Sequence, residues 1–135
     1  EAFWMKVSNA LRHGRVMAFD FGLESDAFFV PPRKDGTLRA YYRHQVAEDL
    51  LARVGEQDLT ASVNFTAIRN AGESAGLKSE PMRAQEQFLM GIFEKTLKQP
   101  DRFPEWTAKR RRQFQTLVHP EHLGRQFQVL QQVKA

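Results

Sequence analysis

A nearly continuous apolar run early in the chain most constrains its fold. Residues 16–22 read Val-Met-Ala-Phe-Asp-Phe-Gly. Such a run is typical of a strand that is covered on both faces, as strands of parallel sheets are. Asp20 then lies near the carboxyl end of the strand, where open α/β sheets bind ligands, although it could equally cap the following turn. The run therefore predicts a layered α/β fold.

Helical spacing of apolar residues predicts further elements around this strand. We expect a helix over residues 3–11 with Gly14 as its cap, and a short helix over residues 46–54 that stops at Gly55. Three more helices are expected from Asn64 to Gly76, over residues 88–97, and with Pro104 in the first turn of the last one. Asn64 would be the N-cap of the first of these three.

Two shorter patterns predict the remaining strands. Residues 77–83 form a plausible strand whose far end is weakened by Pro81. Apolar residues alternate with glutamines over residues 126–133, which is typical of a half-exposed strand, more often antiparallel than parallel. The expected order is α–β–α–α–β–α–α–β, and a sheet of three strands looks incomplete. At 135 residues we expect residues 1–135 to form a single domain.

Composition excludes several classes of protein. The sequence has no cysteine, so disulfide scaffolds, cysteine nucleophiles and thiolate metal sites are excluded. No apolar run approaches the roughly 18 residues of a membrane span, and no secretory signal is visible. We therefore expect an intracellular protein without a membrane partner.

Two polar clusters in the second half of the sequence each allow a structural and a functional interpretation. The run Lys-Arg-Arg-Arg at residues 109–112 is better explained as a solvated helix face than as a nucleic-acid site, because no aromatic stacking platform or basic groove accompanies it. The His-Pro-Glu-His stretch at residues 119–122 predicts a turn rather than a metal site, since two histidines are too few ligands.

Two blocks of sequence, residues 36–44 and 58–65, are rich in polar, charged and aromatic residues and have the composition of loops. Loops are where binding and catalytic residues are often found. Arg39, Arg43 and His44 lie close together beside Tyr41 and Tyr42. One interpretation is a pocket wall that binds an anionic or polar group. The other is an internal ion-pair network, for instance with Asp58.

Together the blocks resemble the MidA family of S-adenosylmethionine-dependent methyltransferases. Residues 14–22 resemble the family's strand ending in Asp-Tyr-Gly, residues 36–44 its Gly-Thr-Leu-Arg segment, and residues 58–65 its Asp-Leu-Thr-Ala-His-Val-Asp-Phe segment. Residues 75–77, 87–92 and 119–130 continue the resemblance in order. Phe21 stands where the family has tyrosine, Ser62 where it has histidine, and Asn64 where it has aspartate.

The resemblance implies the C-terminal part of a Rossmann-like class I methyltransferase sheet, with strands five, six and antiparallel seven flanked by helices. The donor-binding N-terminal portion, with its glycine-rich loop, is expected to be absent. S-adenosylmethionine is the cofactor of the full-length family, and we expect this chain alone to bind none and to be inactive. A non-catalytic interaction module or a homo-oligomerising fragment is the alternative.

The resemblance also implies a substrate-side pocket and a partner. His44 and Asp58 are the candidate catalytic acid or base. The expected substrate-binding residues are Asp20, Gly22, Gly36, Arg39, Tyr41, Thr60, Asn64 and Phe65. The expected substrate is an arginine of a protein, with a subunit of respiratory complex I as a candidate. A homodimer is possible, nucleic acid is not expected, and the location would be the bacterial cytoplasm or the mitochondrial matrix.

Overall fold

The computed structural model describes residues 1–121 and 123–135 in full, and the second histidine of the 119–122 stretch, His122, lies outside the described side chains. The helices are α1 (Ala2–Ala10), α2 (Ser25–Phe28), α3 (Phe65–Ser74), α4 (Gln85–Leu97) and α5 (Ala108–Val118), with a 3-10 turn at Pro31–Arg33 and a π-helical turn at Pro120–Gly124. The strands are β1 (Gly14–Leu23), β2 (Arg39–Tyr42), β3 (Gln45–Ala47), β4 (Asp58–Thr60), β5 (Val63–Asn64), β6 (Lys78–Ser79), β7 (Arg83–Ala84) and β8 (Phe127–Lys134).

The main sheet is mixed, with strand order β5-β1-β8-β6 and β7 also paired to β8. β8 runs antiparallel to β1 along residues 14–21, and it is antiparallel to β6 and β7 as well. β1 pairs in parallel with β5 only at Gly22 and Leu23. This mixed α/β sheet confirms the predicted fold class, and the antiparallel direction of the last strand is confirmed.

The predicted strand over residues 77–83 is divided into two short ones. β6 ends at Ser79 and β7 begins at Arg83, so Pro81 lies in the gap. Proline cannot donate a hydrogen bond to a neighbouring strand, which explains the break. Both pieces still pair with β8, and the sheet therefore has five strands among the described residues rather than three.

A second sheet of three strands, ordered β3-β2-β4, was not predicted. β2 and β3 form a hairpin whose two-residue turn is Arg43-His44, with Tyr42 opposite Gln45. The helix expected over residues 46–54 is therefore wrong. Val46 lies in β3 and is 66% exposed, and Val54 is 81% exposed, so their helical spacing marks no buried face.

Helix ends follow the predicted capping chemistry in α3 and depart from it elsewhere. The Asn64 side chain accepts a hydrogen bond from the Ala67 backbone N–H at 3.1 Å, and Gly76 has a φ of 84° just after the helix. α1 stops at Ala10, so Gly14 begins β1 instead of capping the helix. α5 begins at Ala108, with the Thr107 hydroxyl accepting from the Arg110 N–H, and Pro104 therefore precedes the helix.

The burial of the two long strands, β1 and β8, is the opposite of what the sequence predicted. The middle of β8 is buried on both faces, including Gln131 and Gln132, so the predicted half-exposed strand is wrong. β1 was expected to be covered on both faces, yet Met17 is 47% exposed and Phe19 38% exposed. The core is therefore centred on β8, where Val129 and Leu130 are buried and pair with Phe19 and Ala18 of β1.

Among the described residues, no helix combines the length and apolar character that crossing a membrane requires.

Candidate functional site

A polar cavity of about 330 Å³ opens at the carboxyl end of β1, against the small sheet. Its lining residues are Phe21, Thr37, Arg39, Tyr41, Thr60, Ser62 and Gln126. Phe21 comes from β1, while the side chains that bear hydroxyls or charge come mainly from β2, β4 and the segments next to them. The carboxyl ends of strands in open α/β sheets are where ligands bind, so the cavity lies where this fold places a site.

The register of the small sheet brings four predicted site residues to one face. Arg39 lies directly opposite Thr60, and Tyr41 lies directly opposite Asp58. Side chains on one strand point to the same face at every second residue, so these four share a face. Directly opposed Cβ atoms in antiparallel pairs are about 4.5–5.5 Å apart. The two sequence blocks therefore meet as neighbouring strands.

Arg39 and Asp58 remain available for a ligand. Both are exposed, and neither forms an ion pair with any residue that the structure describes. The alternative of an internal network between them is therefore not formed. Arginine and carboxylate without partners are groups that can bind a polar ligand through charge-assisted hydrogen bonds.

The remaining cationic residues of the first block face elsewhere. The Arg43 guanidinium lies 5.2 Å from the centre of the Tyr42 ring, and Arg53 lies 4.2 Å from it. These are cation–π contacts. Tyr42 alternates with Tyr41 along β2, so it belongs to the opposite face of the small sheet. The predicted convergence of Arg39 and Arg43 is therefore wrong.

His44 stands at the tip of the hairpin. It is exposed, has a φ of 65°, and is not among the residues that line the cavity. Asp58 is nearer to the cavity, because its direct cross-strand partner Tyr41 is a lining residue. The structure thus separates the two candidate catalytic residues.

Three predicted substrate-binding residues have packing roles in the structure. A Cβ on Gly22 would meet the Phe65 ring at 2.8 Å, so glycine allows β1 and the start of α3 to approach closely. Phe65 is only 1% exposed and belongs to the core. Asn64 is occupied by capping α3 and also accepts a hydrogen bond from the Ser25 hydroxyl at 3.2 Å.

Asp20 and Gly36 lie outside the cavity lining. The Asp20 carboxylate accepts a hydrogen bond from the Phe21 backbone N–H at 2.8 Å, so it braces the strand end locally. Gly36 is exposed, with a φ of 80° that favours glycine in the turn before β2.

The expected site residues did not include four that line the cavity, Phe21, Thr37, Ser62 and Gln126. Thr37 alternates with Arg39 and Tyr41, and a strand pattern there would have placed all three on one face. Its hydroxyl accepts a hydrogen bond from the Ser62 backbone N–H at 3.1 Å, which ties the first block to the second. Gln126 comes from the segment before β8, and no local pattern in the sequence relates it to the blocks.

The described residues form neither a cradle for the phosphates of a nucleotide nor a cluster of three or more histidine or carboxylate ligands for a metal ion. A nucleotide cradle needs a glycine-rich loop ahead of a helix N-terminus with free backbone N–H groups. Here α3 is capped by its own Asn64, β1 leads into the single turn α2, and no Gly-x-Gly pair occurs. No group of three or more histidine, aspartate or glutamate residues in the described part of the chain could hold a metal ion.

The mixed sheet with a polar site at the carboxyl end of β1 belongs to the α/β class in which methyltransferases are found. Residues 1–82 match the model of a family described as "Putative S-adenosyl-L-methionine-dependent methyltransferase". That is more than half of the 135 residues, so the chain belongs to this methyltransferase family. The resemblance to MidA-type methyltransferases is thereby confirmed.

Individual relatives agree with the family. Mitochondrial protein arginine methyltransferase NDUFAF7 of Rattus norvegicus and of Mus musculus is 33% identical over 98 residues, which cover 70% of this chain. Two solved structures of COG1565 superfamily proteins from Burkholderia thailandensis are 29% identical to this chain over 98% of its length, with TM-scores of 0.80 and 0.79. The second of these is bound to S-adenosyl-homocysteine.

The chain spans a limited part of these relatives. It covers 22% of the length of the NDUFAF7 proteins and 36% and 35% of the two solved chains.

Proposed function

We propose that this chain forms the acceptor side of an S-adenosylmethionine-dependent methyltransferase that modifies an arginine side chain of a protein. The observation that carries the proposal is the polar cavity at the carboxyl end of β1, with Arg39 and Asp58 unpaired among the described residues. The names of the NDUFAF7 relatives support arginine as the acceptor. A subunit of respiratory complex I stays a prediction for the protein that carries it.

Methylation of arginine sets two demands on the acceptor side. A guanidino nitrogen forms the new N–C bond and loses a proton, so the protein must hold that nitrogen in line and receive the proton. In this family S-adenosylmethionine supplies the methyl group. We assign to the residues of this chain only the binding and orientation of the acceptor and the removal of its proton.

Asp58 is our candidate for the group that orients the acceptor and takes its proton. A carboxylate accepts two parallel hydrogen bonds from a guanidinium, which fixes the plane of the acceptor. Asp58 lies opposite Tyr41 at the rim of the cavity and has no competing ion pair with the described residues. His44 is the less favoured candidate, because it lies at the hairpin tip outside the lining.

Arg39 is our candidate for binding the segment of substrate next to the acceptor. The Arg39 guanidinium would repel the cationic acceptor side chain. It would attract a carboxylate or a backbone carbonyl of the substrate protein. The hydroxyls of Thr37, Tyr41, Thr60 and Ser62 complete a wall of hydrogen-bonding groups. Such a wall favours a polar peptide segment over an apolar one.

The decisive variant is Asp58→Asn in the protein that contains this chain, assayed for transfer of a labelled methyl group to protein arginine. The change keeps the size of the side chain and removes its basicity. The kcat should fall at least about tenfold, because positioned acid–base groups contribute about 10² or more. Asp101→Asn is the matched control, since Asp101 is exposed and outside the cavity.

An unchanged kcat for Asp58→Asn would exclude the assigned role of this carboxylate. Absence of any methyl transfer by the wild-type protein would instead favour the alternative of a non-catalytic interaction module.

A further inference from the structure

A second concave surface lies far along the chain from the polar cavity, where α4 and α5 meet. Two adjoining cavities of about 330 and 390 Å³ share Thr96, Phe103, Pro104 and Trp106. We call this surface the Trp106 groove. Volumes of this size are at the lower end of the range for sites that bind small ligands or single large side chains.

The wall of the groove is rigidly preformed. The Trp106 indole N–H donates to the Thr96 hydroxyl at 2.8 Å, and that hydroxyl donates to the Phe93 carbonyl at 2.7 Å. The rings of Trp106 and Phe93 are 4.7 Å apart, and both contact Phe114. A satisfied indole with three mutually packed rings needs little reorganisation when a ligand binds.

Apolar side chains at the groove remain uncovered. Phe103 is 38% exposed, Leu117 is 42% exposed and Leu97 is 54% exposed. Leu117 lines the first cavity, Leu97 lines the second, and Phe103 lines both. A concave apolar surface with a fixed aromatic wall gains free energy when an apolar side chain displaces its water.

The rim of the groove is positively charged. Arg110 lines one cavity and Arg111 the other, and both belong to the basic run at residues 109–112. Arg110 is held in place by donating from Nη1 to the Glu105 carbonyl at 2.8 Å. No residue of the run forms an ion pair with any part of the chain that the structure describes. Glu105 also lines the second cavity, so the rim carries two guanidinium groups and one carboxylate.

We propose that the Trp106 groove binds an acidic peptide segment with one large apolar side chain. The apolar side chain would fill the cavity beside Trp106 and Phe114, and flanking carboxylates would pair with Arg110 and Arg111. Charge complementarity favours an acidic partner, because the two guanidinium groups at the rim outnumber the single Glu105 carboxylate and attract anions. The apolar cavity favours acidic segments that carry a large apolar side chain, because acidic segments without one would leave the cavity unfilled.

Nucleic acid fits this surface less well. Aromatic rings do lie near the basic run, since Trp106 and Phe114 line the same cavity as Arg110. Single-stranded nucleic acid needs rings that offer a free face for stacking. Here the rings pack on one another around a concave pocket, which suits an inserted side chain.

Fluorescence anisotropy of the 135-residue chain with a labelled probe tests the proposal. The probe is a short peptide in which one phenylalanine is flanked on both sides by aspartate and glutamate. Replacing that phenylalanine with alanine should weaken binding about tenfold, as expected for one large apolar side chain. Arg111→Glu should weaken binding by a similar factor of about ten, because it replaces attraction with repulsion at the rim.

Arg12→Glu is the matched control. It makes the same charge change at an exposed site between α1 and β1, remote from the groove, and should change the affinity less than about twofold at moderate salt, where distant charges are screened. Phe103→Ala should also weaken binding, and its circular dichroism spectrum should match that of the wild type because Phe103 lies outside the helices.

Three results would overturn the proposal. The first is no binding of the phenylalanine probe. The second is equal binding of the phenylalanine and alanine probes, or equal effects of Arg111→Glu and Arg12→Glu, which would indicate charge attraction alone. The third is tighter binding of a single-stranded oligonucleotide of the same net charge, which would indicate a nucleic-acid partner.

Discussion

At the scale of single residues, the buried amide of Gln132 connects three elements. Gln132 is fully buried in β8 and accepts a hydrogen bond from the Trp4 indole N–H at 2.7 Å. Its amide NH₂ donates to the Arg69 carbonyl and to the Ser79 hydroxyl, each at 2.9 Å. Gly72 leaves room for the amide, because a Cβ there would meet the Gln132 side chain. The glutamine pattern that predicted a solvent face therefore marks a polar hub.

Gln132→Leu should lower the free energy of unfolding by about 2–4 kcal/mol. The substitution leaves the Trp4 N–H and the Arg69 carbonyl without this partner, and an unsatisfied buried group costs about 1–3 kcal/mol. Gln128→Leu is the control and should cost less than about 1 kcal/mol, since that side chain makes one exposed hydrogen bond. Urea denaturation followed by fluorescence measures both, and equal losses would contradict the hub.

The sequence predicted part of the cavity wall. Arg39, Tyr41 and Thr60 were expected to line a pocket, and they do line the cavity. Gly22 and Phe65 were expected beside them, but sequence proximity does not distinguish a residue that faces a cavity from one that packs behind it. That distinction depends on the contact between β1 and α3, which only the tertiary structure gives.

At the scale of elements, the β2–β3 hairpin is the least expected part of the fold. Both residues of its turn, Arg43 and His44, have positive φ values, 49° and 65°. Two-residue hairpin turns of this kind favour Asn-Gly or Asp-Gly, so an Arg-His turn is strained and gives no recognisable sequence signal. The helix over residues 46–54 was predicted from the helical spacing of Val46, Leu50 and Val54, and no turn signal at residues 43–44 argued against it.

His44→Gly should raise the free energy of unfolding by about 0.5–1 kcal/mol. Glycine adopts positive φ without the steric cost of a side chain, and its greater freedom in the unfolded state offsets part of the gain. Gln45→Gly, at the next residue, which begins β3, should lower the free energy of unfolding by about 0.5–1 kcal/mol. Denaturant titration of the pair measures both shifts, and a loss of stability in His44→Gly would contradict the assigned turn strain.

Long elements were predictable and short ones were not. The α1, α3 and α4 helices and the β1 and β8 strands follow clear periodicity, and their existence was predicted. The three strands of the small sheet have only three or four residues each, too few for a period to be recognised. Their pairing depends on contacts between residues that are distant in sequence, such as Arg39 with Thr60.

At the scale of the whole molecule, the two sheets have different roles. The main sheet supplies the core, centred on β8, and the small sheet carries the polar wall at the carboxyl end of β1. The side of β1 away from β8 pairs with β5 only at Gly22 and Leu23 in the described part of the chain. An unpaired strand edge favours association with another strand, and a homodimer through this edge stays a prediction.

We expect this chain to bind the methyl acceptor and not the methyl donor. The most direct measurement is a nuclear magnetic resonance titration of the ¹⁵N-labelled chain, first with a short arginine-containing peptide and then with S-adenosylmethionine. The peptide should shift the amide signals of Arg39, Tyr41 and Thr60, while S-adenosylmethionine should leave the spectrum unchanged. Micromolar binding of S-adenosylmethionine, or a peptide titration that leaves those three signals unmoved, would contradict it.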